Sequence, residues 1–213
     1  MDDTHLGRVV WNPAAPTSGL VPLWPAVFGN ANPVEIEIGP GRGDVLLAFA
    51  AARPDVNFFA VEHGSGMSEA IGRQATARGL GNLRCIAGDA RCVLRHLIPP
   101  ASVATAHVYF PDPWPKTRHR HRRLFDTPEL AEVLVRVLTP GGQVHAASDL
   151  EWLFRRMCAR LTAAGLVETP APMPARPVSK FERKYAGAGT WAACFVKPAD
   201  SRRAAGPSAA VQT

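Results

Sequence analysis

The chain has 213 residues, 46% of them hydrophobic and 20% charged, with a formal net charge of +6. That length and balance suit one domain with a full core, and exclude a disordered chain or two comfortable domains. The longest apolar run, Val45 to Ala52, is too short to cross a bilayer, and Cys85, Cys92, Cys158 and Cys194 form neither a C-x-x-C pair nor a zinc-type spacing. Reduced thiols, no metal site and no membrane partner are therefore expected. Behind the acidic start Met1-Asp2-Asp3 no apolar signal region follows, so a cytoplasmic chain is the expectation.

Residues 1 to 33 are rich in Pro, Gly and Asn, with Trp11 and Trp24 as large anchors, and read as an arm or lid with little regular structure. Periodicity begins with a strand over Val34 to Ile38, the turn Gly39-Pro40-Gly41-Arg42-Gly43, and a helix from Asp44 to about Arg53. Asn57 to Glu62 is a nearly continuous apolar strand of the kind buried on both faces of a parallel sheet. A helix from Ser65 to about Arg78 ends at Gly79, a glycine suited to a left-handed C-terminal cap. Leu83 to Ala87 is a third strand, followed by Gly88-Asp89 and a short helix to Leu97; Val103 to Phe110 is a fourth strand.

Asp126-Thr127-Pro128-Glu129 reads as a helix start with an N-cap and proline in the first turn, and Thr139-Pro140-Gly141-Gly142 as the stop. Val144 to Ala147 is a fifth strand, a helix follows to about Ala164, and Leu166 to Thr169 and Trp191 to Val196 are the last two strands. Strand–helix alternation ending in two strands predicts an α/β domain over residues 34–198: a seven-stranded, mostly parallel sheet with helices on both faces. Residues 199–213 have the composition of a disordered tail.

Ligands of an open α/β sheet lie beyond the carboxyl ends of its strands, where strand order reverses. Four strands carry an acid there: Glu37, Glu62, Asp89 and, just past the fourth strand, Asp112. Such a rim repels a pyrophosphate. The glycines agree, because Gly39-x-Gly41-x-Gly43 is neither the dinucleotide fingerprint nor a phosphate loop. A ligand with a ribose diol, an ammonium and a positive sulfur fits instead, with Glu62 on the ribose hydroxyls and Asp89 near the adenine. S-adenosyl-L-methionine is the common cofactor of that description.

Five of the six net positive charges come from Lys116, Arg118, Arg120, Arg122 and Arg123. Basicity concentrated in one window favours a located polyanion, with these side chains holding phosphates. Asp112 sits just before them between Pro111 and Pro113, which stiffen the turn. Trp114 has two readings, a platform for an unstacked base or a core ring.

Four segments, EIEIGPGRG (35–43), YFPDPWPKTRHRHRRL (109–124), SD (148–149) and RPVSKFERK (176–184), resemble the bacterial tRNA (guanine-N7-)-methyltransferases of the class I, Rossmann-like fold. The resemblance runs from about Phe28 to Lys197. It implies cofactor contacts at Glu37, Glu62, Asp89 and Asp112, with Asp112 the catalytic acid. It also implies substrate contacts at Lys116, Asp149, Ser179 and Glu182, and the variable-loop guanine of tRNA, position 46, as target. Ser148 and Ser179 stand where the family commonly has Thr, and both keep the hydroxyl. Three of these assignments, Asp149, Ser179 and Glu182, have rivals in the residues themselves: Ser148–Glu151 and Ser179–Glu182 both have capping-box spacing. The resemblance leaves the oligomeric state open. Two other functions fit the same composition: a methyltransferase of this fold acting on another RNA or a small molecule, and a non-catalytic RNA-binding relative.

Overall fold

The computed structural model describes residues 24–170, 173, 175, 176, 178 and 189–199. Its sheet has seven strands in the order β3-β2-β1-β4-β5-β7-β6. These are β1 (Val34–Ile38), β2 (Asn57–Glu62), β3 (Leu83–Ala87), β4 (Val103–Tyr109), β5 (Leu138–Ser148), β6 (Val167–Thr169) and β7 (Trp191–Val196). β1 to β5 run parallel, while β7 is antiparallel to both β5 and β6. The helices are α1 (Trp24–Phe28), α2 (Asp44–Ala52), α3 (Ser65–Ala77), α4 (Ala90–Leu97), α5 (Glu129–Val137) and α6 (Glu151–Ala163), with a 3-10 helix η1 (Thr117–Arg122). Strand order reverses between β1 and β4, so the crevice opens at their carboxyl ends.

Alternation along the strands divides the core in two. Val34, Ile36 and Ile38 of β1 join Phe59, Val61, Val108, Leu134, Met157 and Phe195 on the side of α4, α5 and α6. Phe58, Ala60 and Tyr109 face Leu46, Phe49 and Ile71 of α2 and α3. Period-2 geometry therefore turns Glu35 and Glu37 into the α2–α3 side. Both carboxylates are buried there, at 9% and 4% exposure.

Three expectations change. The stretch read as an arm contains α1, whose Trp24 and Phe28 are buried against Phe59. Trp24 also donates from its indole to the Ser102 carbonyl (3.0 Å), so the packed body includes α1. β5 starts at Leu138, not Val144, because Leu138 pairs with Val103 and Gly142 accepts from the Lys197 amide. Finally, α5 is not capped by Asp126. That carboxylate binds the guanidiniums of Arg123 and Arg156 instead, and Pro128 occupies the N-cap position.

Gly43 opens α2 at φ 77°, a left-handed conformation, and a Cβ there would stand 2.9 Å from Ile71 Cγ1. Gly43→Ala should destabilise the domain by on the order of 2 kcal/mol, combining backbone strain with overpacking. A urea midpoint unchanged from wild type would contradict this packing role.

Candidate active site at the carboxyl edge of the sheet

Glu62, the last residue of β2, holds the glycine turn in place. One oxygen accepts from the Gly41 amide and the other from the Gly64 amide, each at 3.0 Å. A carboxylate has about four acceptor positions, so two backbone bonds leave capacity for a diol. Gly39 and Gly41 have φ of 67° and 57°, and a Cβ on either would meet nothing within 4 Å. Their backbone thus borders open space, whereas Gly43 borders α3.

Glu37 lies deeper than a rim residue. Its Oε2 is buried without a hydrogen-bond partner among the described residues. Burial lifts its pKa to about 8; Arg176 opposes that shift and Glu62 adds to it. An orphaned carboxyl oxygen beside an open glycine turn is what a cationic donor group requires. Together with Glu62, this acceptor-rich set fits S-adenosyl-L-methionine, whose ammonium, sulfonium and ribose diol all seek negative or accepting partners. When bound, that group supplies an electrophilic methyl.

Beneath Glu37 runs a buried polar chain on the same sheet face. Arg53 grips Glu35 with two nitrogens (2.8 and 2.9 Å), Glu35 meets His107 Nε2 (2.8 Å), and His107 Nδ1 meets the Tyr109 hydroxyl (2.9 Å). Burial would raise Glu35, but its hydrogen bonds with His107 and Arg53 and the nearby Arg53 charge outweigh that and hold it below the usual carboxylate range. Burial lowers His107, with Glu35 only partly compensating. The imidazole is therefore neutral, donating from Nε2 to Glu35 and accepting the Tyr109 proton at Nδ1. Sequence alone left His107 without a partner, since Glu35 comes from a strand 72 positions away.

Asp89 caps α4, accepting from the Arg91 amide at 2.8 Å. The Arg91 guanidinium folds back onto it at 3.0 and 2.6 Å. Burial would raise Asp89, yet these bonds keep its pKa low. The acid expected near an adenine is thus also a helix cap and half of an ion pair.

Past β4 the backbone is strained at two non-glycine residues, Phe110 (φ 49°) and Trp114 (φ 42°), which bracket Asp112. Such outliers concentrate where a side chain must be aimed. Asp112 is exposed and makes no hydrogen bond or ion pair among the described residues. Trp114 is not a core ring: it is half-buried, outside both hydrophobic clusters, with Arg122 over its face at 4.8 Å and His119 at 5.6 Å. Lys116, Arg118, Arg120 and Arg122 are exposed on η1 or at its start. Arg123 is turned inward, donating to the Trp114 carbonyl at 3.0 and 2.9 Å and pairing with Asp126. It shapes the loop, which separates it from the other four cations.

Similarity places these features in a family. A family model described as "Putative methyltransferase" matches residues 31–194. The tRNA (guanine-N(7)-)-methyltransferase of Burkholderia cenocepacia (strain HI2424) is 41% identical over 188 residues, 84% of this chain and 73% of that protein. The enzyme of the same name from Thiobacillus denitrificans (strain ATCC 25259 / T1) is 40% identical over 178 residues, 80% of this chain and 78% of that protein. The chain belongs to the tRNA (guanine-N(7)-)-methyltransferase family. The 16S rRNA methyltransferase KamB shares its fold at TM-score 0.60 and 19% identity, covering 81% of this chain and 93% of that one.

As a member of that methyltransferase family, the chain places Glu37, the glycine turn, Glu62, Asp89 and Asp112 along one edge, with η1 beside them. Asp149 is half-buried just past β5. Its neighbour Ser148 accepts from the Leu150 amide (3.1 Å), while Glu151 pairs with Arg155. The capping box read at 148–151 does not form, because Leu150 rather than Ser148 is the N-cap of α6, which makes Glu151 the first helical residue. Ser179 and Glu182 lie outside the described residues. Two further residues bear on the site. Arg176 stacks 4.7 Å from the Tyr109 ring centroid and acts on Glu37; its place at the head of RPVSKFERK was the available signal. Arg91 was signalled only by following an N-cap acid at two positions. Among the described residues, no helix is long and apolar enough to cross a membrane. Nor does any group of three or more His, Cys, Asp and Glu there offer a metal site.

Proposed function

We propose that this chain transfers the methyl group of S-adenosyl-L-methionine to N7 of a guanine in tRNA, and that its target is the variable-loop guanine at position 46. The observation that carries the reading is Asp112: an exposed carboxylate with no partner among the described residues, on a strained turn between the acidic cofactor edge and the cations of η1. The similarity to tRNA (guanine-N(7)-)-methyltransferases at about 40% identity supports the same substrate class.

Guanine N7 already holds an unprotonated lone pair, so no general base is required and catalysis is mainly alignment. With the donor bound, methylation would leave positive charge on the purine. A fixed carboxylate at Asp112 stabilises that charge as it arrives. The same carboxylate accepts from guanine N1–H and the exocyclic amine, a donor pair that adenine lacks. Glu37 and Glu62 hold the donor, Lys116, Arg118, Arg120 and Arg122 hold phosphates, and Asp149, Ser179 and Glu182 contact the tRNA.

Incubating the chain with unmodified tRNA and methyl-labelled donor, followed by nucleoside analysis, tests the reading. Label should appear as 7-methylguanosine, and at position 46 when the tRNA is mapped. Label in another nucleoside, or none, would overturn it. With four exposed cations on the loop, tRNA affinity should fall with salt at a log–log slope of about −3. A flat response would remove the phosphate role of η1.

A further inference from the structure

One side chain spans the two halves of this site. Arg91 sits in the first turn of α4, only 15% exposed at its side chain, with Nε on Asp89 Oδ1 and Nη2 on Asp89 Oδ2. The same Nη2 also donates to the His121 carbonyl of η1 at 3.2 Å. That bond crosses thirty positions of sequence and joins the body of the domain to a 3-10 helix with no buried residue. η1 therefore gains little from burial beyond the contact of His119 and Arg122 with the Trp114 ring. Its position depends on polar ties such as this one and on the Arg123–Trp114 contacts at its end.

We propose that Arg91 is a positioning residue that couples the cofactor pocket to the tRNA-binding loop, so that an occupied pocket tightens tRNA binding. The proposal rests on the functional reading above. A ligand contacting Asp89 adds bonds to the carboxylate that orients the guanidinium, and the guanidinium in turn orients the His121 carbonyl. η1 then presents Arg118, Arg120 and Arg122 with less freedom to lose when phosphates arrive. By linkage the effect is reciprocal: tRNA tightens the donor by the same factor. An arginine suits this post because its planar fork reaches two acceptors in fixed directions, whereas a lysine offers one nitrogen.

The test is the ratio of tRNA dissociation constants measured without and with saturating S-adenosylhomocysteine, on the full chain. For the wild type the ratio should be about five or more, the lower range of measured couplings. For Arg91→Met it should fall to about one, while S-adenosylhomocysteine alone binds within roughly threefold of wild type. Arg91→Lys keeps the charge against Asp89 and serves as the second variant if Arg91→Met does not fold; its ratio should drop below half the wild-type value. A role in stability alone would weaken tRNA binding equally in both conditions and leave the ratio intact. A wild-type ratio of one, or a wild-type ratio retained by either folded variant, overturns the proposal alone. A wild type that binds neither tRNA nor the cofactor product overturns the functional reading, and the proposal with it.

Discussion

Asp112→Asn should lower the rate of methyl transfer by about 10²- to 10³-fold, the cost of removing one preorganised electrostatic stabiliser. Melting temperature should stay at the wild-type value and donor affinity within a few-fold of it. The separation follows from geometry. Asp112 is exposed and has no partner among the described residues, so no folding interaction is lost with its charge. Pro111 and Pro113 and the left-handed Phe110 and Trp114 set the course of the turn, and none of them depends on the carboxylate. The asparagine keeps the size and loses only the charge and part of the accepting capacity. Single-turnover rates with saturating tRNA and donor measure the effect directly. A variant within tenfold of wild type would deny Asp112 a catalytic role.

Glu37→Gln should weaken donor binding by about 30- to 100-fold, as expected for loss of a charge-assisted hydrogen bond. It should also stabilise the free protein at alkaline pH. The folded-state pKa of Glu37 is raised to about 8 by burial, well above the ordinary value of 4.5. Between those limits the native state holds a proton that the unfolded state has released, so stability falls as pH rises. Below about 4.5 Glu37 contributes nothing to the slope, and above about 8 the full penalty of a buried charge is in place. Glutamine has no such ionisation. Melting curves at pH 6 and pH 9 should therefore converge for Glu37→Gln more than for the wild type. The variant should be the more stable of the two at pH 9, by on the order of a few kcal/mol. Equal pH dependence in both proteins would show that Glu37 titrates normally. Retained donor affinity would show that its orphaned oxygen serves another purpose.

Much of the architecture was legible because β2 is nearly continuous in apolar character, β1 alternates, and the strand ends are marked by Gly, Pro and Asp. β1, β2, β3 and β7 run over the residues that periodicity assigns them. The start of β5 was not legible. Pro140-Gly141-Gly142 carries breaker chemistry, and the partners that extend the strand, Val103 and Lys197, lie far away in sequence. The same distance hid the Arg53–Glu35–His107–Tyr109 chain, whose members meet only through strand register and packing. Within the site, charge and strand-end position marked the acids well. They did not reveal that Asp89 is held by Arg91, that Arg123 is spent inside its own loop, or that Glu37 is sunk beneath the surface rather than on it. Local contacts redirect a charge in ways that its type and spacing do not record.

β7 runs opposite to its neighbours, and Trp191 at its start pairs with Ser148 at the end of β5. β6 finishes alongside, its Thr169 paired to Cys194. Whatever chain joins Thr169 to Trp191 must accordingly leave and re-enter at the mouth of the crevice, far from the foundations of the sheet. Arg176, which lies in that connection, reaches the Tyr109 ring and acts on Glu37, so a change in the connection is felt at the buried carboxylates of β1.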